Sequence, residues 1–248
     1  MRIWVLFVRE LRSLWVTPLA WVLLTSFLLL QGSIFYTVTL HFAQMADGSS
    51  EAGPLSAYFG QNSLLLAITL LLLCPALTMR TLAEERKTGS IELLLAAPVS
   101  STDIVLGKYL ASLLTYALMW TPTVLYAVVL RTVSEVDWHV IASSYLGIAL
   151  VGASYLALGI LCSALGKSQL IALLLSTLVQ FGLFVLGIGE YILDPGPLRD
   201  LSAHLSLTTL LEETAKGLID TRRLVLHGSV SIWALFVTSR LVESWRAE

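Results

Sequence analysis

Charge is scarce in this sequence: 13% of its 248 residues are Asp, Glu, Lys or Arg, against about 25% in an ordinary soluble domain. The 15 basic and 17 acidic residues leave a net charge of −2, which excludes the basic excess a nucleic-acid binder needs. Only two cysteines are present, Cys74 and Cys162, both inside apolar runs. That count and placement exclude a disulfide framework and a zinc site. The ten-residue alternation of an outer-membrane barrel is also missing. What is abundant is apolar surface, at 56% of residues and a mean hydropathy of +0.82. These values describe an integral membrane protein built from helices, an all-α polytopic bundle rather than a soluble or disordered chain.

Ionised side chains near a bilayer centre cost several kcal/mol on most scales, so charge-free runs map the spans. The runs are 13–46, 52–79, 109–130, 138–166, 168–189 and 224–239. A crossing helix needs about 20 residues, which five of the runs supply. The sixth, with 16, requires Arg223 and Arg240 to snorkel outward from its ends. The reading is a single domain over 1–248, with spans at about 18–40, 61–79, 104–130, 140–165, 168–189 and 224–241. Pro75 and Pro122 are expected to kink the second and third spans. Ala149, Ala153, Ala157, Gly159 and Ser163 form a small-residue stripe for close packing in the fourth. The first charge-free run is longer than a signal-peptide core, and no A-x-A site precedes Asp47, so a cleaved signal is not expected. With the N-terminus inside, the inner segments carry ten basic and seven acidic residues, and the outer segments five and ten. The positive-inside rule then places both termini in the cytoplasm.

Residues 1–17 have helical periodicity. Trp4, Phe7, Val8, Leu11 and Trp15 share one face and Arg2, Arg9 and Arg12 another, the pattern of a helix lying in the membrane interface. Outer loops are expected at 41–60, 131–139 and 190–223. The last opens with the turn signal Asp194-Pro195-Gly196-Pro197. It continues with Leu207, Leu210, Leu211, Ala215 and Leu218 at helical spacing, opposite Glu212, Glu213 and Lys216. That pattern predicts an amphipathic helix resting on the outer face.

The segment 80–103 carries the most information. The second span is expected to run on as a charged helical end with Glu84 and Lys87 spaced for pairing. Gly89 breaks that helix, Ser90 caps a new short one, and Pro98 ends it. Ser100 to Asp103 is a capping box that launches the third span. Ile91, Leu93, Leu94 and Leu95 give the short helix more apolar surface than a free loop shows. Either a partner protein or the bilayer surface would cover it.

Pro75, Thr78, Met79 and Arg80, the run Glu84-Glu85-Arg86-Lys87-Thr88-Gly89-Ser90-Ile91-Glu92-Leu93-Leu94, then Pro98-Val99-Ser100 and Ile104-Val105-Leu106-Gly107-Lys108 form one long mixed motif. A second stretch is Gly217-Leu218-Ile219-Asp220-Thr221-Arg222. With these residues the chain resembles the permease subunits of type-2 ABC transporters, most of all the branch of gliding-motility and nitrous-oxide-reductase-maturation permeases. The resemblance implies that 80–103 holds a cytoplasmic coupling helix docked on a separate ATPase subunit. Glu84, Glu85, Arg86 and Lys87 would make charge contacts there. Gly89 and Ser90 would set the bend, Ile91, Leu94 and Leu95 would dock apolar surface, and Glu92 and Pro98 would complete the site. It also implies a dimer with a second copy or a sister permease, and a place in a prokaryotic inner membrane. The chain itself would bind no cofactor, ATP and magnesium belonging to the ATPase.

Other functions fit less well. Gly166-Lys167-Ser168 resembles the end of a phosphate-binding loop, but Leu161 stands where that motif needs glycine, and a span precedes it rather than a strand. An intramembrane serine protease would pair Ser154 of Gly152-Ala153-Ser154-Tyr155 with His227. Counted from the span ends, Ser154 lies about 21 Å deep and His227 about 5 Å, too far apart for a nucleophile and its base. An ion-coupled carrier would keep ionisable groups near the midplane; the runs contain no Asp, Glu, Lys or Arg, and His139 and His227 sit at span ends. A passive membrane anchor or force-transmitting subunit remains an alternative to an exporter permease.

Overall fold

A computed structural model describes residues 2–44, 54–131 and 137–246. Asp47 and parts of two expected outer loops, 45–53 and 132–136, lie outside the described residues. Of the described residues 87% are helical and none lies in a strand, and among them are six helices long and apolar enough to cross a membrane. The all-α, six-span class is therefore established. In order the helices are α1 (Arg2–Val16), α2 (Pro18–Gln44), α3 (Pro54–Ser56) with a π turn at Ala57–Gln61, α4 (Ser63–Thr78), α5 (Ala83–Thr88), α6 (Ser90–Ala96), α7 (Ser101–Trp120), a 3₁₀ turn at Thr121–Thr123, α8 (Val124–Leu130), α9 (Trp138–Leu165), α10 (Gln169–Ile192), α11 (Pro197–Leu205), α12 (Leu207–Thr214) and α13 (Thr221–Ser244). Pro122 breaks the third span into two helices around the 3₁₀ turn. Pro75 stays inside α4, which membrane helices tolerate.

Helix α9 is the axis of the bundle. Within its most apolar stretch 78% of residues are buried, against 17% in α13, 22% in α2 and 28% in α10. The expected small-residue stripe holds at its inner half, where Ala157, Gly159 and Ser163 are buried and a Cβ on Gly159 would run into Thr78. Ala149 is exposed and Ala153 half-buried, and two further glycines make the close approaches there. A Cβ on Gly152 would run into the Tyr116 ring, and one on Gly147 would meet Thr214 Oγ1 at 2.7 Å. Tyr116, fully enclosed, donates its hydroxyl to the Ile148 carbonyl at 2.8 Å. Gln180 of α10 donates to the Tyr155 carbonyl at 3.0 Å. Side-chain amides and hydroxyls thus tie helices together where lipid offers no hydrophobic gain.

The end of the bundle opposite the termini, the far end, is folded inward. Tyr58 of the π turn donates to Gln31 Oε1 at 2.6 Å, halfway along α2. Phe35 stacks on Tyr126, and both rings meet Tyr58 edge to face. The expected surface helix is the short α12, with α11 ahead of it, and its apolar face is core: Leu207, Leu210, Leu211 and Ala215 are buried against α4, α9 and the π turn. Leu218 leaves that face and is exposed, because Gly217 turns the chain at φ 80°. The sixth span is also corrected. Asp220 caps α13 by accepting from Arg222 N at 2.9 Å, so the helix has 24 residues. Arg223 turns inward, donating to Glu213 at 3.1 Å and to the Ser206 carbonyl at 3.2 Å.

Because the chain dips inward before α13, that helix starts low against α9. Asp220, Arg223 and Leu224 line one crevice with Leu146, Gly147 and Leu150, about 12 Å below Trp138 at 1.5 Å per residue. From Gly147 to Ser154 and from Asp220 to His227 the distance along each helix is the same, so the two side chains meet. Ser154 Oγ lies 2.7 Å from His227 Nδ1. The depth argument for separating them fails because it started both helices at one plane. Ser154 is fully buried and also donates to the Val151 carbonyl.

Candidate functional site

Between Thr78 and Ser101 the chain leaves the bundle and returns, building a compact shelf at the end that carries both termini. The continuous charged helix expected here is interrupted. Thr78 and Thr81 donate their hydroxyls to the carbonyls of Cys74 and Thr78, each at 2.8 Å, and the chain turns through 79–82. Ser163 near the end of α9 then accepts from the amides of Leu82 and Ala83, both at 3.1 Å. Those are opening amides of α5 that no preceding turn can satisfy. A serine expected only to pack closely is thus the cap of a helix 80 residues away.

The charged residues of α5 find their partners inside the chain. Glu84 holds Arg80 in a two-point contact at 2.7 and 3.1 Å, not Lys87; the guanidinium fork matches a carboxylate and an ammonium does not. Glu85 Oε1 receives Lys108 at 3.0 Å and Arg9 at 3.1 Å, and Lys108 also reaches Glu10 at 3.1 Å. The Lys108 side chain is 3% exposed. Arg86 donates to the Ala164 carbonyl at 2.9 Å and lies over the Trp245 ring at 4.4 Å. Of the four charges, Lys87 alone points outward and has no ion pair among the described residues.

Gly89 turns the chain at φ 73° and is itself the residue before α6. No Cβ is tolerated comfortably in that conformation. Ser90 is the first residue of α6 rather than its cap, and its hydroxyl meets Thr88 Oγ1 at 2.9 Å. The apolar face of α6 is also reversed from expectation. Ile91 and Leu94 are buried with Leu82, Ile104, Val105, Ile160, Ala164 and Val242 in a second core, and Leu95 packs at its edge. Leu93 is the residue that projects, 79% exposed, between exposed Glu92 and Ala96, with Pro98 beyond. The capping box is present: Asp103 N donates to Ser100 Oγ at 3.0 Å, and Ser100 N to Asp103 Oδ2 at 3.3 Å. Arg246 closes the shelf by donating to the Val99 carbonyl at 2.7 Å.

Four positioning residues escaped the sequence reading: Arg9, Glu10, Lys108 and Trp245. Lys108 carried a signal. Its helical neighbours three and four residues away are Ile104, Val105, Ala111 and Ser112, so no acid on its own helix could balance it. The result is a shelf bolted to α1, α7, α9 and α13, with Lys87, Gly89, Glu92, Leu93 and Pro98 on its outer surface.

Comparison with known proteins adds one match: the family described as ABC-2 family transporter protein covers residues 25–210. No curated protein matches the chain.

Proposed function

The chain belongs to the ABC-2 transporter family, and from that premise we propose that it is an exporter permease whose shelf at 80–103 is driven by a separate ATPase subunit. As a family member it is a multi-pass membrane permease subunit of an ABC transporter, a transport component whose ATPase is another chain. In the proposed reading the shelf and both termini face the cytoplasm of a prokaryotic inner membrane. A second permease, identical or a sister, completes the path for cargo. Within the family, the proposed kinship is with the gliding-motility and nitrous-oxide-reductase-maturation permeases. ATP and magnesium are held by the ATPase.

What supports the reading is the combination of rigid attachment with an exposed apolar point. A lever must be stiff toward the bundle and accessible toward the motor. Here Glu84, Glu85, Arg86, Ile91 and Leu94 serve the first requirement, with Leu95 at the core edge and Ser90 in the bend. Lys87, Glu92, Leu93 and Pro98 serve the second, and Gly89 sets the angle between them. Leu93 is the apolar side chain that projects from this surface, and apolar surface of that kind is what a partner would cover.

The experiment is co-purification of the ATPase with the permease in mild detergent. Leu93→Asp combined with Lys87→Glu is expected to abolish it while the thermal unfolding of the permease is unchanged. Undiminished co-purification with the doubly substituted shelf overturns the docking assignment.

A further inference from the structure

The most enclosed helix of the bundle ends in the open. Every residue of α9 from Ser154 to Ala164 is buried, and then Leu165, its last residue, is 55% exposed. Helices α4, α7, α10 and α13 pack around α9, so neither lipid nor a bundle lying alongside reaches its tip. The tip is open along the helix axis, at the end that carries both termini. Its level is that of the shelf. Ser163, which caps α5, stands two residues before Leu165, about 3 Å along the helix. Arg86 of α5 donates to the Ala164 carbonyl at 2.9 Å.

The turn that follows is firmly held. Gly166 donates its amide to the Cys162 carbonyl at 2.9 Å, and a Cβ on it would meet the Ala172 amide nitrogen at 2.9 Å. Ser168 opens α10 by accepting from Ile171 N at 3.3 Å. Between these fixed points Lys167 is exposed and has no ion pair among the described residues. The run Gly166-Lys167-Ser168, which lacks the setting of a phosphate loop, is thus a tight turn that carries one ammonium outward beside one leucine.

Lys87 and Leu93 make the same combination on the shelf, and α5 touches both α9 and α10, so the two surfaces are continuous. Unpaired charges of one sign favour a partner surface of the other. An exposed leucine on a stiff support is apolar surface for that partner to cover. A body seated on a single apolar point can pivot about it; a second point on a separate element removes that freedom.

We propose that Leu165 and Lys167 form a second docking point for the ATPase subunit, which meets them with apolar surface and a carboxylate. The proposal rests on the docking reading of the shelf and adds a route to it. Motion of the ATPase enters the bundle at the tip of its axis helix as well as through α5 and α6.

The test uses the permease and its ATPase co-expressed in membranes, with photoreactive p-benzoylphenylalanine placed at one position at a time. Probes replacing Leu93 and Leu165 should each join to the ATPase, and one replacing Leu178, exposed in the middle of α10, should not. Adducts at position 93 without adducts at 165 overturn the second point and leave the shelf reading standing. Adducts at neither overturn the docking reading and this proposal with it. Adducts from position 165 to lipid or to a second permease copy, in place of the ATPase, overturn the proposal as well. Affinity gives an independent readout. Leu165→Asp combined with Lys167→Glu should weaken ATPase binding in nanodiscs about tenfold or more, the scale of losing one interface anchor, with thermal unfolding unchanged. Undiminished binding by that variant overturns the proposal.

Discussion

At the end bearing the termini, Lys108 is held by carboxylates from two different elements, Glu10 of α1 and Glu85 of α5. At the far end, Arg223 divides its guanidinium between one carboxylate, Glu213, and the Ser206 carbonyl. Both cations are buried, but the first joins three elements and the second joins two. The surroundings differ as well. The shelf turns Ile91 and Leu94 into a small core and leaves Leu93 outside, whereas the far segment encloses Leu207, Leu210, Leu211 and Ala215. One end is therefore attached by charge and presents a face; the other is a plug packed into the bundle. A part that receives force needs stiff, directional attachments. A part that closes one end of a bundle needs only dense packing.

That contrast can be broken at its strongest point first. Lys108→Met leaves the partly buried Glu10 without its ion pair and Glu85 with Arg9 alone, and breaking a buried pair this way costs about 3–5 kcal/mol. A thermal-unfolding scan in detergent should show this as the most destabilised variant, and the ATPase should be lost with it. The same change at the far end, Arg223→Met, is expected to cost about 1.5–3 kcal/mol, the worth of hydrogen bonds to a charged group. Glu213 is about one-third exposed and water can recover it. If the two variants unfold alike, the difference between the ends is lost.

Packing supplies the next prediction. Gly152→Ala forces a methyl into the Tyr116 ring, and overpacking of this kind costs about 1–3 kcal/mol. Its effect should appear in thermal unfolding and leave ATPase binding intact, since it touches the axis and not the shelf. Ser163→Ala removes the acceptor of two opening amides of α5. An expected loss of about 1–2 kcal/mol, on the scale of a missing helix cap, should be read locally as faster hydrogen exchange at Leu82 and Ala83. Unchanged exchange there would show that the cap carries no load. The smallest effect on stability belongs to Leu93→Asp, expected to stay within about 0.5 kcal/mol as for other surface changes.

How far these features were legible depends on whether their cause is local. Ser100 and Asp103 cap each other across three residues, and Gly89 needs only its own backbone, so both were readable in the chain. Ser163 was not, because its partners are the amides of residues 82 and 83. The resemblance assigns Glu85 and Arg86 to contacts with the ATPase, and nothing within a few residues of them indicates partners inside the chain. Their partners lie on α1, α7, α9 and α13, far along the chain. The choice between Leu93 and Leu94 as the projecting leucine turns on a single step around α6, and a seven-residue helix has too few apolar positions to set its own orientation. The core formed by Ile104, Ile160 and Val242 sets it.

The six apolar runs, the helical class and the punctuation at Gly89, Pro98 and Ser100 follow from the sequence alone, because the cost of charge in a bilayer and the preferences of backbone turns act residue by residue. Tertiary structure alone decided the sliding of α13 along α9 that brings Ser154 to His227. It also decided the infolding of 197–214 and the assignment of Glu85 to Lys108 rather than to solvent. Axial offset between helices costs nothing that a one-dimensional pattern records; it is set by which side chains interlock once the helices meet.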